Sequence, residues 1–301
     1  MYERILVPVD GSALAEVALP YAEELAGRLG SEVTIIFVGD LVDDSYQRMR
    51  QIYLQNTVLN TKKAADAYMR KSGKKQTIQI KSVAFNGNPA EQIVEYADKE
   101  DISLTVMSTH GQSGITRGAL GSVANKVVRA TTRPVALIRV AGYRPDVRQK
   151  GLLTKLLLTL DGSKVSETSI PYAVELASRL GAKVVLLRVL EMSYGAFSST
   201  GEAFIAYFSE DQMETDKTLA KEYLEKIAGQ LRQKGVTVET HAKFGNAAEE
   251  IINLAGEIHA DLVVMSTHGR SGIGRWVFGS ITEKVLYEGY TPLLLISAGK
   301  E

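Results

Sequence analysis

The chain has 301 residues, about twice a typical domain length, with 35 Lys plus Arg against 35 Asp plus Glu and a pI near 6.9. That balance excludes a protein built as a whole around nucleic acid or anionic lipid, both of which reward positive excess. Hydrophobic residues at 45% supply ample core material, and the absence of cysteine removes disulfides, thiolate metal sites and Cys nucleophiles together.

The opening run Arg4–Val9 is short and apolar, as expected of a buried parallel strand. It is too short, and its surroundings too acidic, for a signal peptide. No stretch reaches the ~20 apolar residues of a membrane helix, so a cytoplasmic protein without membrane contact is expected. Residues Ala15–Leu29 have helical apolar spacing, with Ser12 as a cap and Gly30 as a stop. The β-branched run Glu32–Val38 predicts a second strand, Ser45–Lys71 a long helix and Thr77–Val83 a third strand. Asn88-Pro89 opens a helix over Ala90–Lys99. Ile102–Met107, Ser122–Ala130 and Val135–Val140 follow as strand, helix and strand.

The same plan is then written again. Met107–Val128 reads MSTHGQSGITRGALGSVANKVV and Met265–Leu286 reads MSTHGRSGIGRWVFGSITEKVL, with some 13 of the 22 positions identical. Val9-Asp10-Gly11-Ser12 pairs with Leu160-Asp161-Gly162-Ser163, and Pro20-Tyr21-Ala22 with Pro171-Tyr172-Ala173. The offset is 151 residues at Asp10 and 158 at Met107, so the second copy carries a net insertion of seven residues between Val189 and Gly245. Domains are expected at 1–141 and 152–301, with a Gly- and Pro-containing linker at 142–151. Strands alternating with long helices imply parallel, right-handed βαβ crossovers. The fold class is therefore α/β, as two tandem Rossmann-like or flavodoxin-like units, each a five-stranded parallel sheet flanked by helices.

In such sheets ligands bind beyond the C-terminal strand ends, where the winding reverses. Asp10 and Asp161 stand there, as do the glycine-rich loops from Ser108 to Gly121 and from Ser266 to Gly279. Each loop runs through Gly-Ser into a helix, whose first amides have no helical acceptor and lie at the positive end of the macrodipole. Gly121-Ser122 and Gly279-Ser280 therefore suit a phosphate. A carboxylate beside such a turn can accept from ribose hydroxyls or an adenine amine but repels phosphate, so Asp10 should face a nucleoside; an Asx-type cap on the next helix is its other reading. Arg117 and Arg275 could reach phosphate oxygens or simply be solvated. His110 and His268 have no second ligand nearby, and backbone bracing suits them better than a metal, for which no site is expected. The basic run from Lys62 to Lys75 reads as a solvated helix face or a surface for an acidic partner. The aromatic segment Tyr194–Phe208 reads as a cover over its own domain, a lid or a partner surface. There is no Gly-x4-Gly-Lys-Ser/Thr loop, no Gly-x-Gly-x-x-Gly after a first strand and no general base by motif, so binding is expected rather than catalysis.

These motifs resemble the universal stress protein family in its tandem form. The ATP-binding branch has the pattern Gly-x2-Gly-x9-Gly-Ser/Thr, matched here by Gly111, Gly121 and Ser122 and by Gly269, Gly279 and Ser280, with Ser108 and Ser266 replacing the first glycine. The resemblance implies ATP, alone or with Mg2+, in one or both repeats. It places the nucleoside beside Asp10 and Asp161, Val38 and Val189, Met107 and Met265, with Pro8 ahead of its aspartate and Thr159 in that place in the second copy. It places the triphosphate on Gly111, Gly121, Ser122 and Val123, and on Gly269, Gly279, Ser280, Ile281 and Thr282. It also implies fifth strands, Val135–Val140 and Leu293–Ser297, that pair within the chain, and further homodimerisation. The implied function is a nucleotide-dependent stress-response module; a nucleotide-free interaction module and a slow ATPase are the alternatives.

Overall fold

The computed structural model describes residues 1–40, 44–73, 77–111, 120–140, 151–191, 196–197, 203–204, 210–267 and 278–297. The first half runs β1 (Arg4–Val9), α1 (Ala13–Glu16), α2 (Leu19–Leu29), β2 (Glu32–Val38), α3 (Asp44–Lys71), β3 (Ile80–Phe85), α4 (Pro89–Lys99), β4 (Leu104–Ser108), α5 (Ser122–Ala130) and β5 (Val135–Ile138). The second runs β6 (Lys155–Thr159), α6 (Lys164–Glu167), α7 (Ile170–Leu180), β7 (Lys183–Leu190), β8 (Ala196–Phe197), β9 (Ala203–Phe204), α8 (Glu210–Gln233), β10 (Val238–Phe244), α9 (Ala247–Glu257), β11 (Leu262–Ser266), α10 (Ser280–Glu288) and β12 (Leu293–Ile296).

Two expected elements differ by more than a shift of one or two residues at an end. The helix expected over Ala15–Leu29 is two helices, α1 and α2. Ser12 caps α1 through Ala15 N–H, and Pro20 stands in the first turn of α2, where a missing N–H breaks no helical bond. The third strand lies slightly later than expected, because its register with β2 pairs Val33 with Ile80 and Val38 with Phe85. Gly30 and Gly181 end α2 and α7 in left-handed conformation, at φ 80° and 64°, each donating its N–H back to an alanine carbonyl.

The two parallel sheets are one. Strand order is β10-β7-β6-β11-β12-β5-β4-β1-β2-β3, parallel within each half and antiparallel only between β12 and β5. That junction pairs Leu293 with Leu137, Leu294 with Ala136 and Leu295 with Val135, the intrachain pairing that the resemblance implies. It relates the halves by a pseudo-twofold axis. One face of the sheet packs against α2, α3, α7 and α8 and the other against α4, α5, α9 and α10, giving two apolar layers that each cross the junction. The net insertion falls in the stretch containing the two-residue pair β8–β9; most of the aromatic segment around it, and residues 142–150 of the expected linker, lie outside the described residues.

Polar contacts reinforce the seam with the same twofold logic. Arg28 donates to the Leu180 carbonyl, and Arg179 to the Leu29 carbonyl, so each half closes the last turn of the other's helix. Glu24, fully buried, accepts from Arg28 at 2.8 Å and from the Leu152 amide at 2.5 Å. Its counterpart Glu175 is a quarter exposed and accepts from Arg179 and the Met1 amine, both at 3.2 Å. On the opposite face Arg139 donates to the Val285 carbonyl at 3.1 Å, and burial lowers its guanidinium pKa to about 10.

Because only Glu24 is fully desolvated, the two counterparts should differ in weight. Glu24→Ala leaves the Leu152 amide without its acceptor and removes the ion pair with Arg28, and should cost about 2–4 kcal/mol in urea unfolding. Glu175→Ala should cost less than about 1 kcal/mol. Equal losses would contradict this account.

Candidate functional site

In the order 3-2-1-4-5 the winding reverses between β1 and β4, so the crevice lies beyond the C-terminal ends of those strands, and beyond β6 and β11 in the second half. Asp10 leaves β1 directly. Its Oδ1 accepts the Ser12 amide at 2.9 Å and the Ser12 hydroxyl at 2.6 Å, while Gly11 turns the chain at φ +82°. Asp161 repeats this, accepting the Ser163 amide at 2.8 Å over Gly162 at φ +85°. The Asx-turn reading therefore holds for one carboxylate oxygen. The other faces the opposite loop: a Cβ on Gly111 would lie 2.3 Å from Asp10 Oδ2. A side chain there would have to displace that carboxylate oxygen, because the loop after β4 rests on the residue that ends β1.

The helix starts carry the second half of the site. Gly121 and Gly279 occupy the N-cap positions of α5 and α10 in extended conformation, with ψ 145° in both, and neither helix has a side-chain cap. Ser12, Asn88, Ser163 and Asn246 cap α1, α4, α6 and α9; α2 and α7 also begin without a side-chain cap, but behind Ala18 and Ser169 in helical conformation rather than behind an extended glycine. The first helical bonds run from Asn125 to Gly121 and from Glu283 to Gly279, both at 2.9 Å. The amides of Ser122, Val123 and Ala124, and of Ser280, Ile281 and Thr282, therefore precede any helical acceptor. Gly121 N–H itself bonds the Thr109 carbonyl at 2.8 Å, and Gly279 that of Thr267 at 3.1 Å. A Cβ on Gly121 would come within 2.8 Å of that Thr109 oxygen. This close approach holds the helix end beside the strand end.

The remaining expected residues divide. Ser122 and Ser280 are exposed, and Val123 and Ile281 half-buried, at the open helix ends. Pro8 and Val189 are half-buried, whereas Val38, Met107 and Met265 belong to the apolar layer beneath the crevice. Ser108 is buried, its hydroxyl accepting the His110 amide at 3.2 Å; Ser266 is buried in the same place. Thr282 is 3% exposed and its hydroxyl donates to the Ser266 carbonyl at 3.2 Å, so only its amide belongs to the helix end. His110 pairs Nδ1 with the Thr109 hydroxyl at 3.0 Å, and its buried Nε2 has no hydrogen-bond partner among the described residues. Arg117, Gly269, Arg275 and His268 lie outside the described residues.

The flank of the crevice is built by residues that no sequence motif marks. Tyr53 and Tyr223 donate to Glu16 and Glu167, each at 2.9 Å, and each phenol's pKa is pushed up by burial and then by its carboxylate. Phe37 stacks edge-on with Tyr53 in the first half, with Arg50 5.8 Å above its ring. In the second half Arg188 lies 5.0 Å over Tyr223, and a Cβ on Gly162 would meet its guanidinium at 3.2 Å. A lone arginine inside the apolar run of β7 was the available signal. A depression of about 360 Å³ bordered by Tyr2, Arg4, Gly30, Glu32 and Arg179 sits at the opposite, N-terminal strand ends. Among the described residues no group of three His, Asp or Glu could hold a metal ion.

A family model described as the universal stress protein family matches residues 1–139 and 153–297. The chain belongs to the universal stress protein family. A universal stress protein of Mycobacterium tuberculosis is 26% identical over 97% of this chain and 96% of its own length. One from Bacillus subtilis, 29% identical, matches 46% of this chain with its whole length. The crystal structure of a universal stress protein from Archaeoglobus fulgidus superposes with a TM-score of 0.70 at 21% identity, covering 99% of this chain and 100% of its own, which supports the shared tandem fold. No helix of the described residues is long and apolar enough to cross a membrane.

The contact between Asp10 and Gly111 gives a local test. Gly111→Ala should destabilise the fold by about 1–3 kcal/mol through overpacking. In an Asp10→Ala background the same change should cost about 1 kcal/mol less, a non-additivity read from a double-mutant cycle. Additive losses would mean that the two loops do not touch.

Proposed function

We propose that this universal stress protein binds ATP at the C-terminal strand ends of its halves and that occupancy, rather than turnover, is its output. The observation that carries the reading is the pair of uncapped, glycine-led helix starts, each at the same switch point as a strand-ending aspartate. Phosphate oxygens would accept from the amides of Ser122 to Ala124 and of Ser280 to Thr282, with the Ser122 and Ser280 hydroxyls as further donors. Asp10 and Asp161 would repel that end of the ligand and accept from the sugar hydroxyls, which fixes its direction. Each charge-assisted bond contributes roughly 1.5–3 kcal/mol, so three such bonds have the scale of a micromolar Kd, about −8 kcal/mol. Mg2+, when present, would neutralise phosphate charge; no residue of the chain is assigned to it. In the cytoplasm the occupied crevice would present a surface that stress-response partners read.

The halves are not equivalent anion sites. The first turn of α5 has no acidic residue, whereas that of α10 carries Glu283, which pairs with Arg129 across the seam at 2.9 Å. A carboxylate near the helix start competes with phosphate for the same dipole. The first half should hold ATP more tightly.

Isothermal titration with ATP tests this, with binding expected and the first half dominating. Ser122→Asp should lower affinity about tenfold or more while stabilising the ligand-free protein by about 0.5 kcal/mol, because a carboxylate at a helix start is favourable by itself. Ser280→Asp should have the smaller effect on the measured affinity. No heat and no rise in Tm at millimolar ATP would sink the proposal.

A further inference from the structure

The two crevices differ in charge near the ends of β2 and β7. In the first half Phe37 is 5% exposed, and a Cβ on Gly11 would lie 4.0 Å from its ring. Arg50 of α3 lies 5.8 Å over that ring, and none of its atoms would come within 4 Å of the same Cβ. In the second half Arg188 corresponds to Phe37, and a Cβ on Gly162 would lie 3.2 Å from its guanidinium. The cation therefore rests on the turn that follows Asp161. It also lies 5.0 Å over the ring of Tyr223, whose hydroxyl donates to Glu167 at 2.9 Å. Asp161 and Glu167 are the acids beside it, and both have other donors: the Ser163 amide for Asp161 and the Tyr223 hydroxyl for Glu167. Arg188 itself forms no hydrogen bond or ion pair among the described residues, and its Nε is buried without an acceptor. A buried donor in that condition costs about 1–3 kcal/mol, and an incoming acceptor would displace no existing partner.

We propose that the second crevice takes a nucleotide that carries a phosphate on its sugar, with Arg188 as the residue that selects it. The inference rests on the nucleotide reading given above. With the 5′-phosphate on the amides of Ser280 to Thr282, the sugar lies toward Asp161 and so toward Arg188. A phosphate on one ribose hydroxyl leaves the other hydroxyl to donate to Asp161. Its oxygens accept from the guanidinium, whose planar donors suit two oxygens at once. Dinucleotide sites divide the work in the same way, an acid taking the free ribose hydroxyl and an arginine the ribose phosphate. Asp161 and Glu167 oppose any further anion through space, so the gain is confined to a phosphate that touches the guanidinium. In the first half the Phe37 ring offers no donor at the corresponding place. The halves thus sort nucleotides by the sugar end.

Isothermal titration of the Ser122→Asp protein, in which the first crevice is weakened, reads the second crevice. Adenosine 3′,5′-bisphosphate or its 2′,5′ isomer should bind about tenfold or more tighter than adenosine 5′-monophosphate, which shares the 5′ end. Adding Arg188→Gln should bring that ratio to about one. Arg188→Lys keeps the charge without the fork and should retain part of the preference, and circular dichroism verifies that each variant is folded. Equal affinity for the monophosphate and both bisphosphates, or a preference that survives Arg188→Gln, would overturn the inference and leave ATP binding standing. Absence of heat with every nucleotide, ATP on the unmodified chain included, would overturn both.

Discussion

Strands β5 and β12 would each present a row of unpaired amides and carbonyls if the two halves stood apart, and an exposed apolar edge is among the least tolerable features of a sheet. Pairing them along Val135–Leu137 and Leu293–Leu295 removes both edges at once. Everything larger follows from that join. It makes ten strands one sheet, lets both apolar layers cross the midline, and sets the halves antiparallel. It also brings Arg28 and Arg179, and on the other face Arg129 and Arg139, within reach of the opposite half.

The duplication preserved a scaffold while the details diverged. Glu24 and Glu175 occupy corresponding places, yet one is sealed and the other wet. Phe37 and Arg188 also correspond, and one gives the crevice an aromatic flank while the other gives it a cation. Asn125 and Glu283 begin corresponding helix turns with different charge, and Arg129 contacts both. Since Arg129 also stacks 4.9 Å over Phe278, the residue before Gly279, the second glycine-led helix start is braced from the first half of the chain.

What could be read in the residues alone was whatever had a local physical cause. The repeated Gly-Ser before a helix, the Asp-Gly-Ser turn and the Asn-Pro helix start act within a few positions, and each element expected from them is present. The split of the first helix ahead of Pro20 is equally local, but the apolar period runs through it and so conceals it. The merging of two sheets, the burial of Glu24 and the contact of Asp10 with Gly111 depend on residues about 100 or more positions apart, which no period in the sequence reports. Arg188 stood out only as a charge in an apolar strand, and its ring partner Tyr223 lies in a helix beyond the insertion. Thr282 illustrates the remaining difficulty. Its position at a helix start was legible, but whether a hydroxyl faces solvent or a carbonyl beneath it is decided by packing.

The exchange of arginines between α2 and α7 has an evolutionary reading. Each helix of that pair ends on a guanidinium encoded in the other copy, so neither repeat is a self-sufficient unit of inheritance any longer. The two parts must drift together, because a change at Arg28 is felt at once by Glu24 in its own half and by the end of α7 in the other.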